Sequence, residues 1–248
     1  MPDQPTFAPR NNNKTLAPRR GHLLETNTHI AVVGAGAFGG WTALWLRRLG
    51  YRVTLIDAWG PGNSRASSGD ETRVIRSTYG ANETYFDLNV RAIELWREHQ
   101  HRWNKPLFFN AGVLWFCYED SPEMIEATQP FMRKHGLEYQ YFSPQEAAQK
   151  YPHINTNDLH HLVLDPYGGY LKARESCQAV QEAFVRGGGN YLNAFVQPNT
   201  IEKGRLTSLT LSDGSTFVAD TFLFACGSWL GKLFPEVLGE SITCTKQE

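Results

Sequence analysis

The sequence has almost no net charge, few cysteines and no long apolar run, and each absence removes a class of function. Its 24 lysines and arginines face 25 acids over 248 residues. Without a basic stripe there is no electrostatic footprint for nucleic acid or for an anionic membrane surface. The four cysteines, Cys117, Cys177, Cys226 and Cys244, stand far apart and form no Cys-x-x-Cys pair. Neither a zinc cage nor a disulfide framework is signalled, and a reducing, cytoplasmic setting is expected. No metal site is expected either, because the adjacent His160 and His161 fall on a strand, where neighbours face opposite ways. The longest apolar stretches, such as residues 113–117 and 222–226, fall far short of the ~20 residues a membrane-spanning helix needs. Residues 1–28 are rich in proline, asparagine and arginine, lack the apolar segment of a signal peptide, and predict a disordered tail.

What is present begins at His29. Residues 30–33 are a β-branched run of the kind buried in a parallel sheet. Gly34-Ala35-Gly36-Ala37-Phe38-Gly39 follows at once, and then Phe38, Trp41, Thr42, Trp45 and Leu49 recur at helical spacing. That spacing predicts a helix with this set as its apolar face, closed at Gly50. Residues 51–57 read as a second strand. A lone G-x-G-x-x-G is a weak signal, but strand, glycines, helix and strand in this order make a dinucleotide-binding βαβ unit. Gly34 allows the tight turn, Gly36 has no Cβ to block a diphosphate, and Gly39 lets the helix pack closely on the strand. The backbone N–H groups of Ala37, Phe38 and Gly39, with the helix dipole, hold an anion without lysine or arginine. Asp57, at the tip of the second strand, is placed for the ribose hydroxyls of the adenosine half.

NAD and FAD share that half, so the unit does not choose between them. The next segment does. A Gly/Ser/Pro loop over residues 59–69 leads into Gly69-Asp70-Glu71-Thr72-Arg73-Val74-Ile75-Arg76, whereas an ordinary NAD dehydrogenase would proceed quickly to another βα unit. Here the chain resembles the amine-oxidising flavoproteins of the D-amino-acid oxidase superfamily, in particular the sarcosine oxidase and N-methyl amino acid oxidase branch.

The resemblance implies an α/β chain: a Rossmann-type FAD-binding domain interrupted by a partial α+β substrate domain with an antiparallel sheet. It divides the sequence into residues 29–104 and 162–235 for FAD, and 105–161 with 236–248 for substrate. It implies that Thr72 and Arg73 lie against the flavin, where Arg73 favours the anionic reduced form. It also implies that Arg76 grips a substrate carboxylate with both prongs of its guanidinium. Val196 and Gly227 match segments whose backbone meets the cofactor. Two departures stand out. Two residues, Asp70 and Glu71, separate the glycine from the threonine where the family usually has one, and Ser68 stands where sarcosine oxidases tend to carry histidine. In that family roughly another third of the chain follows, so a truncated or split coding region is expected, with a second chain as the partner supplying the rest.

Elsewhere, residues 82–102 predict a long helix burying Tyr85, Leu88, Ala92, Leu95 and Trp96. Residues 108–117 predict a hairpin turning at Asn110-Ala111-Gly112. Ser121-Pro122 and Ser143-Pro144-Gln145-Glu146 predict helix starts, the second a capping box. Cys177, Val180, Gln181 and Phe184 predict one face of a helix ending at Gly187-Gly188-Gly189, residues 191–196 a strand, 201–211 and 216–218 a hairpin, and 221–226 a closing strand. The functional expectation is an FAD-dependent oxidoreductase acting on the C–N bond of a secondary or N-methylated amino acid, a small-molecule substrate. Two alternatives stay open: a non-catalytic FAD-binding fragment or one subunit of a split flavoenzyme, and an NAD-dependent dehydrogenase.

Overall fold

The computed structural model describes residues 27–120 and 122–238. Most of the expected tail, the Ser121 helix start, Cys244 and the last part of the expected substrate domain lie outside the described residues. In chain order the elements begin with β1 (His29–Val33), α1 (Ala37–Arg48), β2 (Arg52–Asp57), β3 (Thr72–Ile75) and α2 (Glu83–Trp103). Next come β4 (Phe108–Phe109), β5 (Val113–Cys117), α3 (Glu123–Lys134), β6 (Gln140–Phe142), α4 (Pro144–Lys150), β7 (His161–Asp165) and β8 (Gly169–Lys172). After these are α5 (Ala173–Arg186), β9 (Asn190–Asn193), β10 (Val196–Pro198), β11 (Ser208–Leu211), β12 (Thr216–Val218) and β13 (Thr221–Phe224), and the short α6 (Leu230–Leu233) and α7 (Pro235–Leu238).

The centre is a parallel sheet of order β13-β1-β2-β9, with Val33 opposite Ile56 on one side and Phe224 on the other. Its strands alternate between two cores. Ile30, Val32, Val53 and Leu55 face α1 and α5 through Ala43, Leu44, Val180 and Phe184. Val33 and Ile56 face the other way, onto Val196 and Leu209 of the antiparallel sheet β10-β11-β12. Burial on both faces is why β1 and β2 read as continuous apolar runs. Two further antiparallel sheets carry the intervening chain. One is β3-β8-β4, packed on α2 through Ile75, Ile93 and Phe108; the other is β5-β7-β6, backed by Phe86, Ile125, Met132 and Val163.

Five expectations need correction. Helix α1 buries Gly39, Gly40, Ala43 and Leu44, while Phe38 is 87% exposed and Trp45 and Leu49 also face solvent. The close approach of α5 selects Gly40 and that of the turn after β1 selects Gly39, and Trp41 turns aside to stack on Trp103 and meet Trp96 edge-on. Helix α2 buries Phe86, Ile93 and His99 and exposes Tyr85 and Leu88. Strands β4 and β5 do not form a hairpin, because β4 pairs with β8 and β5 with β7. The strand expected at residues 191–196 splits in two, β9 joining the parallel sheet and β10 the antiparallel one. The hairpin is formed by β11 and β12 alone, its first strand beginning at Ser208, with a separate small bridge between Glu202 and Arg205. The capping box holds: Ser143 accepts from the Glu146 N–H while Glu146 reaches back to the Ser143 N–H at 2.8 Å.

His99 gives this fold a pH dependence. Its ring sits among Trp41 and Trp103, with one nitrogen 2.7 Å from the Leu95 carbonyl and Nε2 3.0 Å from an Arg48 guanidinium nitrogen. Burial, offset in part by the Leu95 carbonyl and reinforced by the Arg48 and Arg102 charges, holds its pKa below the ordinary 6.5. The unfolded chain therefore takes up a proton near pH 6.5 that the folded chain refuses, so stability is complete above that pH and declines as pH falls through it. His29, lowered by burial and by Arg52, adds to the same trend. The melting temperature should drop between pH 7.5 and 5.5, and His99→Gln should flatten the drop; an unaltered slope in that variant would show the titration lies elsewhere.

Candidate functional site

The site is built at the carboxyl ends of the parallel strands, where open α/β sheets bind ligands. Gly34, directly after β1, has φ +103°, and a Cβ there would overlap the Ala225 carbonyl oxygen. Its N–H reaches the Ile56 carbonyl at 2.7 Å, and Ala225 donates to Val33 at 2.7 Å, so the turn is pinned by both neighbouring strands. Gly36 caps α1. A Cβ at Gly36 would come within 3.1 Å of the Ser68 hydroxyl oxygen, so the missing side chain lets Ser68 approach the start of the helix. In the first turn of α1, the Ala37 N–H donates to Ser68 Oγ at 2.9 Å, and the Phe38 and Gly39 N–H groups find no acceptor among the described residues. That is the donor set an anion needs.

Asp57 ends β2 and orders both sides of the loop. One carboxylate oxygen accepts from the Ala35 N–H at 2.7 Å, and the other from Trp59 at 2.9 Å and Gly60 at 2.8 Å. A carboxylate has about four lone-pair positions, so three internal bonds leave room for a ribose hydroxyl. Its negative charge reaches two cysteines. Burial, with Asp57 adding to it, pushes the Cys177 thiol up to about 11 and the Cys226 thiol up to about 12. Both stay protonated near neutral pH and are poor nucleophiles.

A cavity of about 200 Å³ beside the loop is walled by Gly36, Ala37, Ser67, Ser68, Arg73 and Cys177, among others. The structure thus brings Arg73 to the glycine loop. Its guanidinium donates to the Ser67 carbonyl at 3.1 Å and pairs with Asp70 at 3.4 Å. Asp70 has φ +85°, and the Asp70 and Glu71 carbonyls accept from Arg174 and Ala173 at the start of α5. The left-handed Asp70 and these two bonds tie the loop to α5 just before Arg73. Thr72, the preceding residue of β3, faces the opposite side of that strand from Arg73. Val196 is buried between the two sheets, its side chain part of that core. Gly227 is exposed at φ +52°, and nearby Trp229 packs on Trp59 with ring centroids 5.2 Å apart.

Arg76 stands apart from this group. It follows β3, and its guanidinium lies 4.8 Å from the Trp115 ring centroid and 5.3 Å from that of Tyr79. Among the described residues no carboxylate comes within 4 Å of it. A cation held by two aromatic faces and left without a counter-charge can take a carboxylate from solution. Sequence reasoning missed three contributors: Ser68 as a partner of the helix start, the aromatic pair around Arg76, and Asp165. The last is fully buried and accepts from the Ser77 hydroxyl at 2.7 Å and N–H at 3.1 Å, next to Arg76. The small loop residue Ser68 was a visible signal; the other two depend on long-range pairing.

Comparison with known proteins agrees with this geometry. The family model for FAD dependent oxidoreductases matches residues 29–246. The chain is similar to a monomeric sarcosine oxidase of Bacillus sp. (strain NS-129), 24% identical over 214 residues, covering 86% of this chain and 55% of the relative. It is also similar to an N-methyl-L-tryptophan oxidase of Yersinia pestis (strain Pestoides F), 25% identical over 207 residues, covering 83% and 55%. The chain thus spans about half the length of these curated relatives. Among solved structures, L-proline dehydrogenase from P. horikoshii superposes with a TM-score of 0.72 at 19% identity, over 87% of this chain and 57% of that one; at that identity it shows the shared fold.

Proposed function

Because the chain belongs to the FAD-dependent oxidoreductase family, whose cofactor is FAD, we propose that it forms the FAD-holding half of a flavoenzyme that oxidises the C–N bond of a secondary or N-methylated amino acid. The observation that carries this reading is the pairing of an open diphosphate cradle with Arg73 at one cavity and an unpaired Arg76 one strand-length away. Gly34, Gly36, Ala37, Phe38 and Gly39 would seat the diphosphate, Asp57 the ribose, and Val196 and Gly227 the remaining backbone contacts. Thr72 and Arg73 complete the set, Arg73 supplying positive charge. Arg76 would bind and orient the substrate carboxylate. When bound, FAD supplies the two-electron acceptor for the carbon beside the amine nitrogen, and the imine product is then hydrolysed. Residues 29–104 and 162–235 would form the FAD-binding part and residues 105–161 and 236–248 the substrate part. The protein would work in the cytoplasm; among the described residues no helix is long and apolar enough to cross a membrane.

The test is spectroscopic first. Purified protein should bind added FAD with a shifted flavin spectrum, and sarcosine or N-methyl-L-tryptophan should bleach it. Flavin binding without bleaching would favour the reading as an FAD-binding part that needs a partner chain. A colourless protein that binds NADH would favour a nicotinamide enzyme. Where turnover occurs, Arg76→Ala should raise the amino acid KM by about 10- to 100-fold, the value of one charge-assisted pair. A KM left unchanged by that substitution would remove Arg76 from the substrate site.

A further inference from the structure

A second basic concavity lies at the other ends of the helices, away from the glycine loop. The last turns of α1, α2 and α5 enclose a cavity of about 390 Å³ open to solvent, lined by Arg47, Arg48, Arg102 and Arg186 and by Trp103. We propose that this cavity binds a phosphate-class polyanion.

The charges in it are poorly compensated. Arg47 spends its donors on the Gly187 and Tyr51 carbonyls at 2.9 and 3.2 Å, which fixes its position without neutralising it. Arg48 donates to His99 Nε2 and lies over the Trp45 ring at 4.8 Å. Neither Arg48 nor Arg102 has a carboxylate within 4 Å among the described residues. Arg186 shares Glu182 with Lys105, at 3.4 and 2.7 Å. Glu98, the other nearby acid, is engaged by Arg91 at 3.3 Å. Basic residues in a last turn ordinarily answer the helix dipole, but each helix end offsets roughly half a charge. Three ends offset roughly one and a half, well below the sum of the four arginines and Lys105 less Glu182. The repulsion is felt locally: burial and the Arg102 charge both lower the Arg48 pKa. Guanidinium forks converging on one concavity bind phosphate oxygens in pairs and focus an anion there, and the Trp103 ring gives the pocket an apolar wall.

The experiment is calorimetric titration of the full chain with inorganic tripolyphosphate, in saturating FAD so that the glycine loop is blocked. Wild type should bind, and Arg48→Gln and Arg102→Gln should each weaken binding roughly 10-fold or more. Arg102 makes no hydrogen bond that its loss would break among the described residues, so ligand-free Arg102→Gln should also melt at a higher temperature than wild type as the repulsion is relieved. No binding by wild type, binding as tight as wild type by both variants, or a lower melting temperature for Arg102→Gln would each overturn the proposal. Because the arginines are remote from the cradle, these outcomes are read independently of whether FAD binds.

Discussion

Gly39→Ala is expected to destabilise the chain by about 3 kcal/mol or more and to abolish retention of FAD. On an exposed helix the same change would stabilise by about 1 kcal/mol, because alanine is the better helix former. Contact decides the sign here. A Cβ at Gly39 would overlap the Gly34 carbonyl oxygen and come within 3.1 Å of the Ala225 Cβ. Both are fixed, the first by the turn after β1 and the second by the return from β13, so neither can rotate away as a long side chain would. Relief requires α1 to lift off the sheet, and that opens the core shared by Ile30, Val32, Val53, Leu55 and Phe184. It also moves the Ala37, Phe38 and Gly39 N–H groups proposed to seat the diphosphate. Gly40→Ala is the matched control: its Cβ would meet Val180 Cγ1 at 3.3 Å and the Ala35 carbonyl oxygen at an ordinary 3.8 Å, and a small adjustment of Val180 can offset the helix-propensity gain. Urea midpoints and FAD affinity for the two variants check the prediction. A Gly39→Ala protein as stable as Gly40→Ala would mean that helix and strand are not in contact at this turn.

The βαβ unit was legible because its signals are local. Two apolar runs, a glycine turn and a helical repeat lie within thirty residues, and the positions of Asp57, Gly34 and Gly36 follow from spacing alone. The faces of α1 and α2 were not legible, because periodicity weights large apolar residues and cannot see which neighbour comes closest. Helix α5 approaches α1 with Val180 and Ala183, which selects Gly40 and Ala43, the turn after β1 selects Gly39, and Trp41 is left to meet Trp96 and Trp103 of α2. Strand partners were lost for a related reason. Asn110-Ala111-Gly112 has hairpin chemistry, but Asn110 donates across the sequence to the Pro166 and Gly168 carbonyls at 2.7 and 2.8 Å. That crossing sends β4 to β8 and β5 to β7. Similarly, residues 191–196 look like one strand, yet Ala194 and Phe195 step between sheets so that Val196 can fill the second core. In the site, Arg73 and Arg76 were legible only through resemblance. The reason Arg76 can sit between two rings, namely how β3 is tied to β7, is a long-range fact that no window of sequence contains.

That tie makes Asp165→Ala the second large effect, an expected loss of about 3–5 kcal/mol. Asp165 ends β7 with no solvent exposure. One oxygen accepts from the Ser77 hydroxyl and N–H at 2.7 and 3.1 Å, and the other from the Tyr167 and Gly168 N–H groups at 3.1 and 3.4 Å. Removing the carboxylate takes the acceptor from the buried Ser77 and Gly168 donors and from the part-buried Tyr167 N–H, and each unsatisfied buried donor costs about 1–3 kcal/mol. The sum is less than four full penalties because the turn can relax. Asp165→Asn keeps the volume and one acceptor but points an amide at donors, so about half the loss is expected. The functional consequence follows from chain connectivity. Ser77 is the residue after Arg76, and fastening it to the end of β7 holds the Arg76 guanidinium against Trp115, which pairs with Val163 of the same strand. Once Ser77 is released, Arg76 should lose its fixed position. In any form of the enzyme that turns over, Asp165→Asn should then raise the amino acid KM more than it lowers kcat, while the FAD affinity set at the glycine loop stays the same. Equal changes in FAD affinity and KM would instead mark Asp165 as a support of the whole fold with no particular bearing on Arg76.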